Sequence, residues 1–445
     1  MIDVKHPRQL RRVRRDPFDD PGRPIPAGAL RLAGCVLLCV VPACGPSGGA
    51  DLASPAAAPA SGLAGSVRRV EGVTVLTLRG RPYDRGFAHG RLMARGVVEM
   101  VDTICGTNLL LTRRGDYERV ILPLVERFTF EPDDEQELRG LLDGVRAALG
   151  TEAVLQRIGR PLTLADLKAY NTAGDWYRQA CSSFAAWGSH AKAGHVWVGR
   201  NFDFLPARAL YTHQMIVVHE RLGGKKAWAG VTAAGMIGCV TAINADGVFT
   251  SVHDAFRPLR PVGRGYAPRL LVLRRLAESC GAEDLAARAL PILKARRQMF
   301  DNSILLAAAV SDGTAPAVVF EYDGDLGDGG GVTVRTAADN ESKLPREMIA
   351  CTNRYRKRTR PRFNLLHYRY GLMRQVLAAK TGRGLKVDFD IARKTMGAVR
   401  LPITVHTVIA DLNTMDFWYA PGELLSPPGN RDFVKLPVAR WLGRR

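Results

Sequence analysis

The chain lacks the short patterns by which metal, nucleotide and nucleic-acid sites are recognised in a sequence. Its 445 residues contain no His-Glu-x-x-His pair, no Cys-x-x-Cys pair, no phosphate-binding glycine-rich loop and no serine elbow between a strand and a helix. Zinc fingers, aromatic RNA-binding motifs and helix-turn-helix patterns are absent as well. We therefore expect no metal, no nucleotide or organic cofactor, and no nucleic-acid partner.

Acidic residues are scarce relative to basic ones. Lys and Arg number 63 against 43 Asp and Glu, which gives a formal net charge of +20. Part of the excess lies near the N-terminus, where four arginines cluster between Arg11 and Arg15. The rest of the chain is still basic, and this suits an anionic membrane surface or an acidic ligand.

The N-terminal apolar run, Leu32 to Ala43, is too short to cross a bilayer as a stable helix. A short apolar run after a basic stretch is typical of an export signal. The run ends in Val-Pro-Ala-Cys, which resembles a bacterial lipoprotein cleavage site with Cys44 as the lipidated residue. We predict a signal peptide over residues 1–44 and an exported protein, held in the periplasm or cell envelope by a lipid on Cys44. An ordinary signal without lipidation is the alternative.

The cysteines do not form a disulfide framework. Of the eight, three lie in the first 44 residues, and the remaining five have no close pairing: Cys105, Cys181, Cys239, Cys280 and Cys351. An odd number leaves at least one free thiol, as a nucleophile would require. The competing interpretation is that each is a small buried apolar residue.

The pattern of apolar residues divides the chain at Cys181. Residues 45–66 are rich in Gly, Ala, Ser and Pro and predict a flexible linker. Residues 67–180 begin with a short strand or hairpin and continue with apolar residues at helical spacing. Residues 181–445 contain runs of strands with helices in blocks, which predicts an α+β fold with large antiparallel sheets. We expect 67–180 and 181–445 to pack together as one domain.

No histidine is an obvious partner for a cysteine nucleophile. The nine histidines are scattered, and the Cys-Gly-Ser-Cys-Trp signature of cysteine proteases is absent. An N-terminal cysteine has another base, because its own α-amino group titrates near pH 7.7 to 8.0.

Several short motifs carry a resemblance to a known group. In chain order they are Arg-Gly-Phe-Ala-His-Gly (85–90), Cys-Ser-Ser-Phe (181–184), Gly-Arg-Asn-Phe-Asp (199–203), Ile-Asn-Ala-Asp-Gly-Val (243–248), Cys-Thr-Asn-Arg-Tyr (351–355) and Thr-Val-Ile-Ala-Asp (407–411). Together they resemble the N-terminal-nucleophile hydrolases of the isopenicillin N acyltransferase-like kind, and more distantly acid ceramidase and choloylglycine hydrolase. The resemblance implies a four-layer α/β/β/α sandwich with two antiparallel sheets.

The same resemblance implies a self-cleaving nucleophile. Cys181 would cut the bond from Ala180 and then form a thioester with a substrate amide. Arg200 would favour the thiolate, and Asp203 would accept a hydrogen bond from the new α-ammonium group. Because Arg200 and Asp203 have opposite parity, a straight strand puts them on opposite faces unless a bulge or strand end intervenes.

Three further residues match the motifs of that group. Asn353 would donate to the oxyanion, Asn244 would be a substrate-binding asparagine, and Arg369 would help to order the site. Each asparagine has a structural alternative: Asn244 precedes an Asp-Gly turn, and Asn353 could cap a strand.

The sequence thus predicts a hydrolase or acyltransferase acting on a linear amide bond of a small molecule or peptide. Self-cleavage would leave two associated chains, an α chain ending at Ala180 and a β chain starting at Cys181. Two rival interpretations remain open. One is a histidine-assisted cysteine peptidase without self-cleavage, and the other is a non-catalytic envelope lipoprotein that retains the fold.

Overall fold

The computed structural model of the chain describes most of the sequence after the predicted linker. Cys44, the predicted signal peptide and the linker up to residue 61 lie outside the described residues. The described ranges are 62–106, 117–255, 263–309, 315–323, 331–340, 344–358, 368–424, 426–427 and 433–444. They fall within one compact unit, Leu52–Arg445.

The part before Cys181 combines a β-hairpin with helices and a small two-stranded sheet. Its elements are β1 (Gly65–Val70), β2 (Val73–Leu78), α1 (Pro82–Leu92), α2 (Ala94–Gly106), a π-helical turn (Tyr117–Ile121), α3 (Leu122–Val125), α4 (Pro132–Leu149), β3 (Val154–Leu155), β4 (Arg160–Pro161), α5 (Leu164–Asn171) and α6 (Ala173–Trp176).

The part from Ala180 onward is built from strands with helices in blocks, as the sequence predicts. Its elements are β5 (Ala180–Ala186), β6 (Trp197–Asp203), α7 (Arg208–His213), β7 (Gln214–His219), β8 (Trp228–Ala233), β9 (Thr241–Asn244), β10 (Phe249–Asp254), α8 (Arg269–Ser279), α9 (Leu285–Lys294), β11 (Asn302–Ala307), β12 (Ala317–Tyr322), β13 (Val332–Arg335), β14 (Met348–Cys351), α10 (Tyr368–Thr381), α11 (Phe389–Val399), β15 (Thr404–Asp411), β16 (Asp416–Pro421), β17 (Val434–Leu436) and α12 (Val438–Trp441).

Two large sheets organise these strands, so the predicted α+β class is confirmed. The nine-stranded sheet has the order β1-β2-β7-β8-β9-β10-β11-β12-β13, and the six-stranded sheet has the order β14-β5-β6-β15-β16-β17. One detail of the prediction is wrong, because β2 and β7 run parallel. The chain between them contains several helices and two strands of the other large sheet, so it is long enough to return to the same end of the nine-stranded sheet, which a parallel pair requires.

Apolar residues at consecutive positions give the strands two buried faces. In β7, Met215 and Val217 belong to one apolar cluster, whereas Ile216 and Val218 belong to another. The first cluster joins the nine-stranded sheet to the helices before Cys181, and the second takes side chains from both large sheets. A third joins the six-stranded sheet to α10 and α11. Double burial explains why these strands are continuous apolar runs in the sequence.

Helices α1 and α4 cross so closely that no side chain fits between them. A Cβ atom added at Gly86 would lie 1.9 Å from the carbonyl oxygen of Glu137, and one added at Gly90 would lie 2.1 Å from that of Leu141. On α4, Gly140 and Gly144 are equally close to the backbone of α1. The glycines of the Arg-Gly-Phe-Ala-His-Gly motif are therefore packing positions. His89 in the same motif accepts a hydrogen bond from the Gly235 amide at 3.0 Å.

A buried ion cluster joins α1 and α4 to α8. The Glu137 carboxylate accepts hydrogen bonds from Arg85 at 2.9 Å and from Arg274 at 2.8 Å. Arg274 also donates to Glu278 at 2.7 Å. Because the two arginines hold the charge of Glu137, its pKa falls to about 2 despite burial. The cluster connects the part before Cys181 to the part after it.

Candidate active site

Cys181 is the second residue of β5, and it is fully buried at 0% exposure. Its amide donates to Oδ1 of Asn353 at 3.0 Å, and its carbonyl oxygen accepts from Nη2 of Arg369 at 3.0 Å. Burial raises the pKa of the Cys181 thiol, and the nearby Arg200 guanidinium opposes that shift. In this uncut chain the thiol is therefore neutral at ordinary pH, with its backbone fixed on both sides.

Arg200 lies on the same sheet face as Cys181. It pairs in register with Ser183, two residues further along β5, so its side chain projects on the thiol side. The guanidinium donates to the Thr241 hydroxyl at 2.6 Å and to the carbonyl oxygens of Val240 and Val252 at 3.1 and 3.0 Å. Within the described ranges no carboxylate forms an ion pair with it, so its charge acts on the thiol.

Asp203 lies on the opposite face, as strand alternation predicts. It pairs in register with Ala180 at the end of β6. Its carboxylate accepts from Arg369 Nη1 at 2.6 Å and from the Thr404 hydroxyl. Burial raises the pKa of Asp203, while Arg369 counteracts the shift. The expected hydrogen bond from the Cys181 nitrogen is not made in the uncut chain, since that nitrogen donates to Asn353 instead.

Arg369 connects Asp203 on β6 to the backbone of Cys181 on β5 and to Asn353. From α10 it donates to the Asp203 carboxylate, to the Cys181 carbonyl oxygen and to Asn353 Oδ1. Arg200 and Asp203 thus lie on opposite faces of β6, with no bulge between them in the pairing with β5, and both are still connected to Cys181. Arg200 contacts the thiol from one side of the sheet, and Arg369 links Asp203 to the Cys181 backbone from the other.

Asn353 follows β14 and contacts the residues on both sides of the predicted cut. Its Oδ1 accepts from the Cys181 amide, and its Nδ2 donates to the carbonyl oxygens of Gln179 at 3.1 Å and Asp254 at 2.8 Å. Both amide hydrogens are therefore engaged by backbone carbonyls in the uncut chain.

Asn244 is not brought to this group. Its Nδ2 donates to the carbonyl oxygens of Ala277 and Cys280, at 2.9 and 2.7 Å, at the end of α8. Its Oδ1 accepts from the amides of Asp246 and Val248, both at 3.0 Å. These contacts close the turn after β9 and tie it to α8, which is the structural alternative for this residue.

Sequence reasoning missed a second charged group beside the predicted cut. Asp254, at the end of β10, accepts from the Gln179 amide at 2.7 Å and pairs with Arg269. The Arg269 amide donates to Asp175 at 3.0 Å, and burial raises the pKa of Asp175 to about 7. The available signal was a carboxylate closing an apolar strand, with an arginine opening the next helix. Buried charges of this kind need a partner.

Two buried histidines, on β10 and β15, make contacts with residues other than Cys181. His253 hydrogen-bonds the Ser183 hydroxyl at 2.6 Å, and His406 stacks on Phe202 with ring centroids 5.2 Å apart. Burial lowers the pKa of both imidazoles well below its usual range. In the part of the chain that the structure describes, no histidine makes a hydrogen bond to Cys181.

A mainly apolar pocket opens beside the predicted cut. It encloses about 480 Å³ including its open mouth, and its lining includes Gln179 and Phe202. Phe202 is the cross-strand partner of Cys181 in the register of β5 and β6. The other lining residues come from helices before the cut and from strands, helices and loops after it, so both parts of the chain build the pocket.

The described residues provide neither a metal site nor a membrane-spanning helix. Nowhere in these ranges do His, Cys, Asp and Glu side chains form a cluster that could hold a metal ion. No helix in the same ranges is long and apolar enough to cross a membrane.

Comparison with known proteins gave similarities in structure only. No protein-family profile matches the chain, and no curated protein matches its sequence significantly. Similar solved structures include the N-acylethanolamine-hydrolysing acid amidase orthologue of Caenorhabditis elegans, at 17% identity and a TM-score of 0.38, covering 52% of this chain and 93% of that one.

Two further solved structures are similar to this chain at a comparable level of identity and TM-score. One is a mutant form of the conjugated bile acid hydrolase of Clostridium perfringens, at 13% identity and a TM-score of 0.39, covering 60% of this chain and 95% of that one. The other is the penicillin V acylase of Agrobacterium tumefaciens, at 13% identity and a TM-score of 0.35, covering 56% and 84%. These proteins are N-terminal-nucleophile hydrolases, the group that the sequence motifs resemble.

Proposed function

We propose that the chain is a cysteine amidase that matures by cutting its own backbone between Ala180 and Cys181. One observation carries the proposal: the backbone on both sides of that bond is held by buried polar side chains. Asn353 and Arg369 bind the Cys181 amide and carbonyl groups, and Asp254 binds the Gln179 amide. A fixed backbone next to a thiol favours attack, because the reacting atoms need not be brought together from solution.

In the self-cleavage step, the Cys181 sulfur attacks the carbonyl carbon of Ala180. The amide C–N bond breaks as the C–S bond forms, and the thiol proton ends on the Cys181 nitrogen. Water then hydrolyses the thioester and releases the carboxyl group of Ala180. The products are a free thiol and a free α-amino group on the same residue.

Turnover would repeat this chemistry on an external amide. The α-amino group takes the thiol proton, the sulfur attacks the substrate carbonyl, and the amine leaves with the proton. Water, or an amine in a transferase reaction, then attacks the thioester. Arg200 lowers the pKa of the thiol and so increases the thiolate fraction.

Cleavage would also make Asn353 available to substrate. In the uncut chain one of its amide hydrogens is held by the Gln179 carbonyl. If the end of the α chain moves after the cut, that donor can turn to the oxyanion of a bound substrate. Arg369, which contacts Asp203, Asn353 and the Cys181 backbone, would position all three.

The pocket beside Phe202 suits the acyl side of the substrate. Its lining is dominated by apolar side chains and contains no Asp, Glu, Lys or Arg. Burying an apolar group there is favourable by roughly 25 cal/mol per Å². We therefore propose amides of an uncharged, largely apolar acyl group as the substrate class.

We further propose a four-layer α/β/β/α arrangement in which the two large sheets pack against each other. The apolar cluster shared by both sheets, and the clusters joining each sheet to helices, support that order. The α chain would end at Ala180, and the β chain would start at Cys181. The Glu137 ion cluster supports continued association of the two chains.

Export and lipidation remain proposals from the sequence. Residues 1–44 would form the signal, and Cys44 would carry the lipid that attaches the enzyme to the cell envelope. Mass spectrometry of the membrane fraction tests this, because a Cys44→Ala variant should lose the lipid mass and the attachment.

Chain masses under denaturing conditions test the proposed function. The wild type should give two chains, the second starting at Cys181, and it should hydrolyse amides of apolar acids. Cys181→Ala should give one uncut, inactive chain. Cys239→Ala is the matched control, since Cys239 is equally buried at 0% exposure and has no part in the proposed chemistry.

Two results would favour the rival functions. A single uncut wild-type chain with thiol-dependent amidase activity identifies a histidine-assisted peptidase. An uncut chain that turns over none of a broad panel of amides identifies a binding or structural protein.

A further inference from the structure

The pocket lined by Gln179 and Phe202 is apolar but not uniformly so, and Cys181 is not one of its lining residues. Six apolar residues dominate its wall: Met100, Ile104, Phe204, Leu210, Leu270 and Val405. Five polar side chains interrupt this wall. Two of them, Gln214 and Thr232, hydrogen-bond other protein groups, and the other three are Gln179, Tyr170 and His406. A pocket made only for a hydrocarbon chain has no use for them, because buried polar groups cost free energy unless they are hydrogen-bonded.

Each of these three side chains has a buried polar atom without a partner. Among the residues that the structure describes, nothing hydrogen-bonds Nε2 of His406, the hydroxyl of Tyr170 or Oε1 of Gln179. The residues are 1%, 1% and 2% exposed. An unpartnered buried polar group destabilises the fold, because it has lost its hydrogen bonds to water and gained none in return. Three such atoms around one pocket indicate that its occupant supplies hydrogen bonds.

The strand register fixes where this polar part lies relative to the nucleophile. Cys181 pairs with Phe202, and Phe202 pairs with His406, so the three residues form one row across β5, β6 and β15. With strands roughly 4.8 Å apart, the Cα of His406 lies about 10 Å from the Cα of Cys181. A hydrogen-bonding group of the substrate that reaches His406 is therefore several bonds from the reacting carbonyl.

The chemistry of the three atoms defines the group that they would bind. Burial keeps His406 uncharged and raises the pKa of Tyr170, so its phenol keeps its proton. Tyr170 can both donate and accept, neutral His406 has one donor and one acceptor nitrogen, and Gln179 Oε1 only accepts. An uncharged group that both donates and accepts satisfies this set, and a hydroxyl is the smallest such group. A charged group would find no opposite charge in the lining.

We propose that the enzyme prefers acyl groups bearing a hydroxyl several bonds from the reacting carbonyl, and that His406 and Tyr170 determine this specificity. The inference rests on the proposed amidase function. His406 and Tyr170 take no part in bond making or breaking. They act by binding the far part of the acyl group and should affect substrate choice while leaving self-cleavage intact.

The experiment compares two p-nitroanilide substrates, octanoyl and ω-hydroxyoctanoyl, with the self-cleaved enzyme. The wild type should show about a tenfold higher kcat/KM for the hydroxylated acyl group, the effect of one good hydrogen bond. His406→Phe and Tyr170→Phe should each remove this preference, so that the ratio of the two kcat/KM values falls to about one. His219→Phe is the matched control, because His219 is also buried and stacked on an aromatic ring but does not line the pocket.

Two results would overturn the inference while leaving the amidase function standing. One is equal kcat/KM for the two substrates in the wild type, and the other is a preference that survives in both His406→Phe and Tyr170→Phe.

If the wild type neither cuts itself nor hydrolyses either substrate, the amidase function fails first. The pocket is then tested by calorimetric binding of octanamide and ω-hydroxyoctanamide to Cys181→Ala. Binding of the hydroxylated amide about tenfold tighter, lost in the double variant with His406→Phe, supports the hydroxyl-binding pocket. Equal binding rejects it.

Discussion

Arg200 is a buried cation held by neutral groups. Its hydrogen bonds go to the Thr241 hydroxyl and to backbone carbonyls, and none goes to a carboxylate in the described chain. A carboxylate partner would cancel most of its field. With neutral partners only, its charge stabilises a neighbouring thiolate in a region of low polarity.

Replacing Arg200 by Met should therefore raise the pKa of the Cys181 thiol. The pH midpoint of the self-cleavage rate, and of kcat/KM in cleaved enzyme, should move to higher pH. Arg200→Lys retains the charge and should shift the midpoint less. The pH–rate profiles of the two variants test the idea, which fails if Arg200→Met and Arg200→Lys have the midpoint of the wild type.

The buried carboxyl group of Asp175 should make the stability of the folded chain depend on pH. Its pKa is raised by burial from 3.8 to about 7, so between these values the folded chain binds a proton that the unfolded chain does not. The free energy of unfolding then decreases as pH rises from about 4 to about 7. Asp175→Asn should raise the melting temperature at pH 8 and leave it nearly unchanged at pH 4. An equal change at both pH values would contradict this assignment.

Local motifs identified most of the residues that meet around Cys181, but not all. Arg200, Asp203, Asn353 and Arg369 are brought together, although no sequence pattern indicates that Arg369 reaches across the strand from a helix. Asn244 was assigned from its motif alone, and its amide instead closes a turn. Contacts between residues distant in sequence, such as those of Asp254 with Gln179, depend on sheet order, which the motifs do not encode.

At the scale of elements, the crossing of α1 and α4 depends on backbone contact. The four glycines leave each helix touching the carbonyl oxygens of the other, and the buried pair of Arg85 and Glu137 lies beside them. Separating the helices is costly, because both contribute side chains to the first apolar cluster.

Gly90→Ala should consequently be strongly destabilising. Its Cβ would lie 2.1 Å from a backbone oxygen, so the helices must separate, at a cost of about 3 kcal/mol. Gly397→Ala is the matched control in α11, where an added Cβ has no atom within 4 Å. That change should stabilise the protein by about 0.5–1 kcal/mol, as Ala does in a helix. Denaturant titration of both variants measures the difference, and similar midpoints would refute the close packing.

Strand and helix positions after Cys181 were largely predictable from apolar runs and turn residues. The runs of strands with helices in blocks that the sequence predicts for residues 181–445 are found in the structure. The parallel pairing of β2 with β7 was not predictable, because it depends on which edge of the sheet the N-terminal hairpin reaches. The short elements β17, α12 and α7 carry no clear sequence signal, since three to six residues are too few to show a periodic pattern.

At the scale of the whole molecule, the predicted cut divides one sheet between two chains. Strands β1 and β2 precede Cys181, yet they complete the edge of a sheet whose other strands follow it. The Glu137 cluster and the pairing of Arg275 with Asp134 cross the same junction. After cleavage the chains would still share backbone hydrogen bonds, a buried apolar cluster and buried charges.

The two chains should therefore remain together in molar salt, which screens buried pairs only weakly. Native mass spectrometry should detect a one-to-one complex. Glu137→Ala should weaken it by about 3–5 kcal/mol, because two buried arginines lose their partner. Asp133→Ala is the matched control, since Asp133 forms an exposed pair with Lys225 across the same junction at 2.7 Å. Chains that separate on raising the salt would disprove this account.

The position of Cys181 inside the six-stranded sheet also bears on how such a terminus can be produced. β5 lies between β14 and β6, and Cys181 has no exposed surface. A polypeptide translated from residue 181 onward would begin with an initiator methionine, and an aminopeptidase would have to remove it from an exposed, extended end. Once the sheet has formed, that end is closed to it. If the proposed cut is made in the folded chain, the new terminus at Cys181 is therefore closed to aminopeptidases that trim exposed, extended ends.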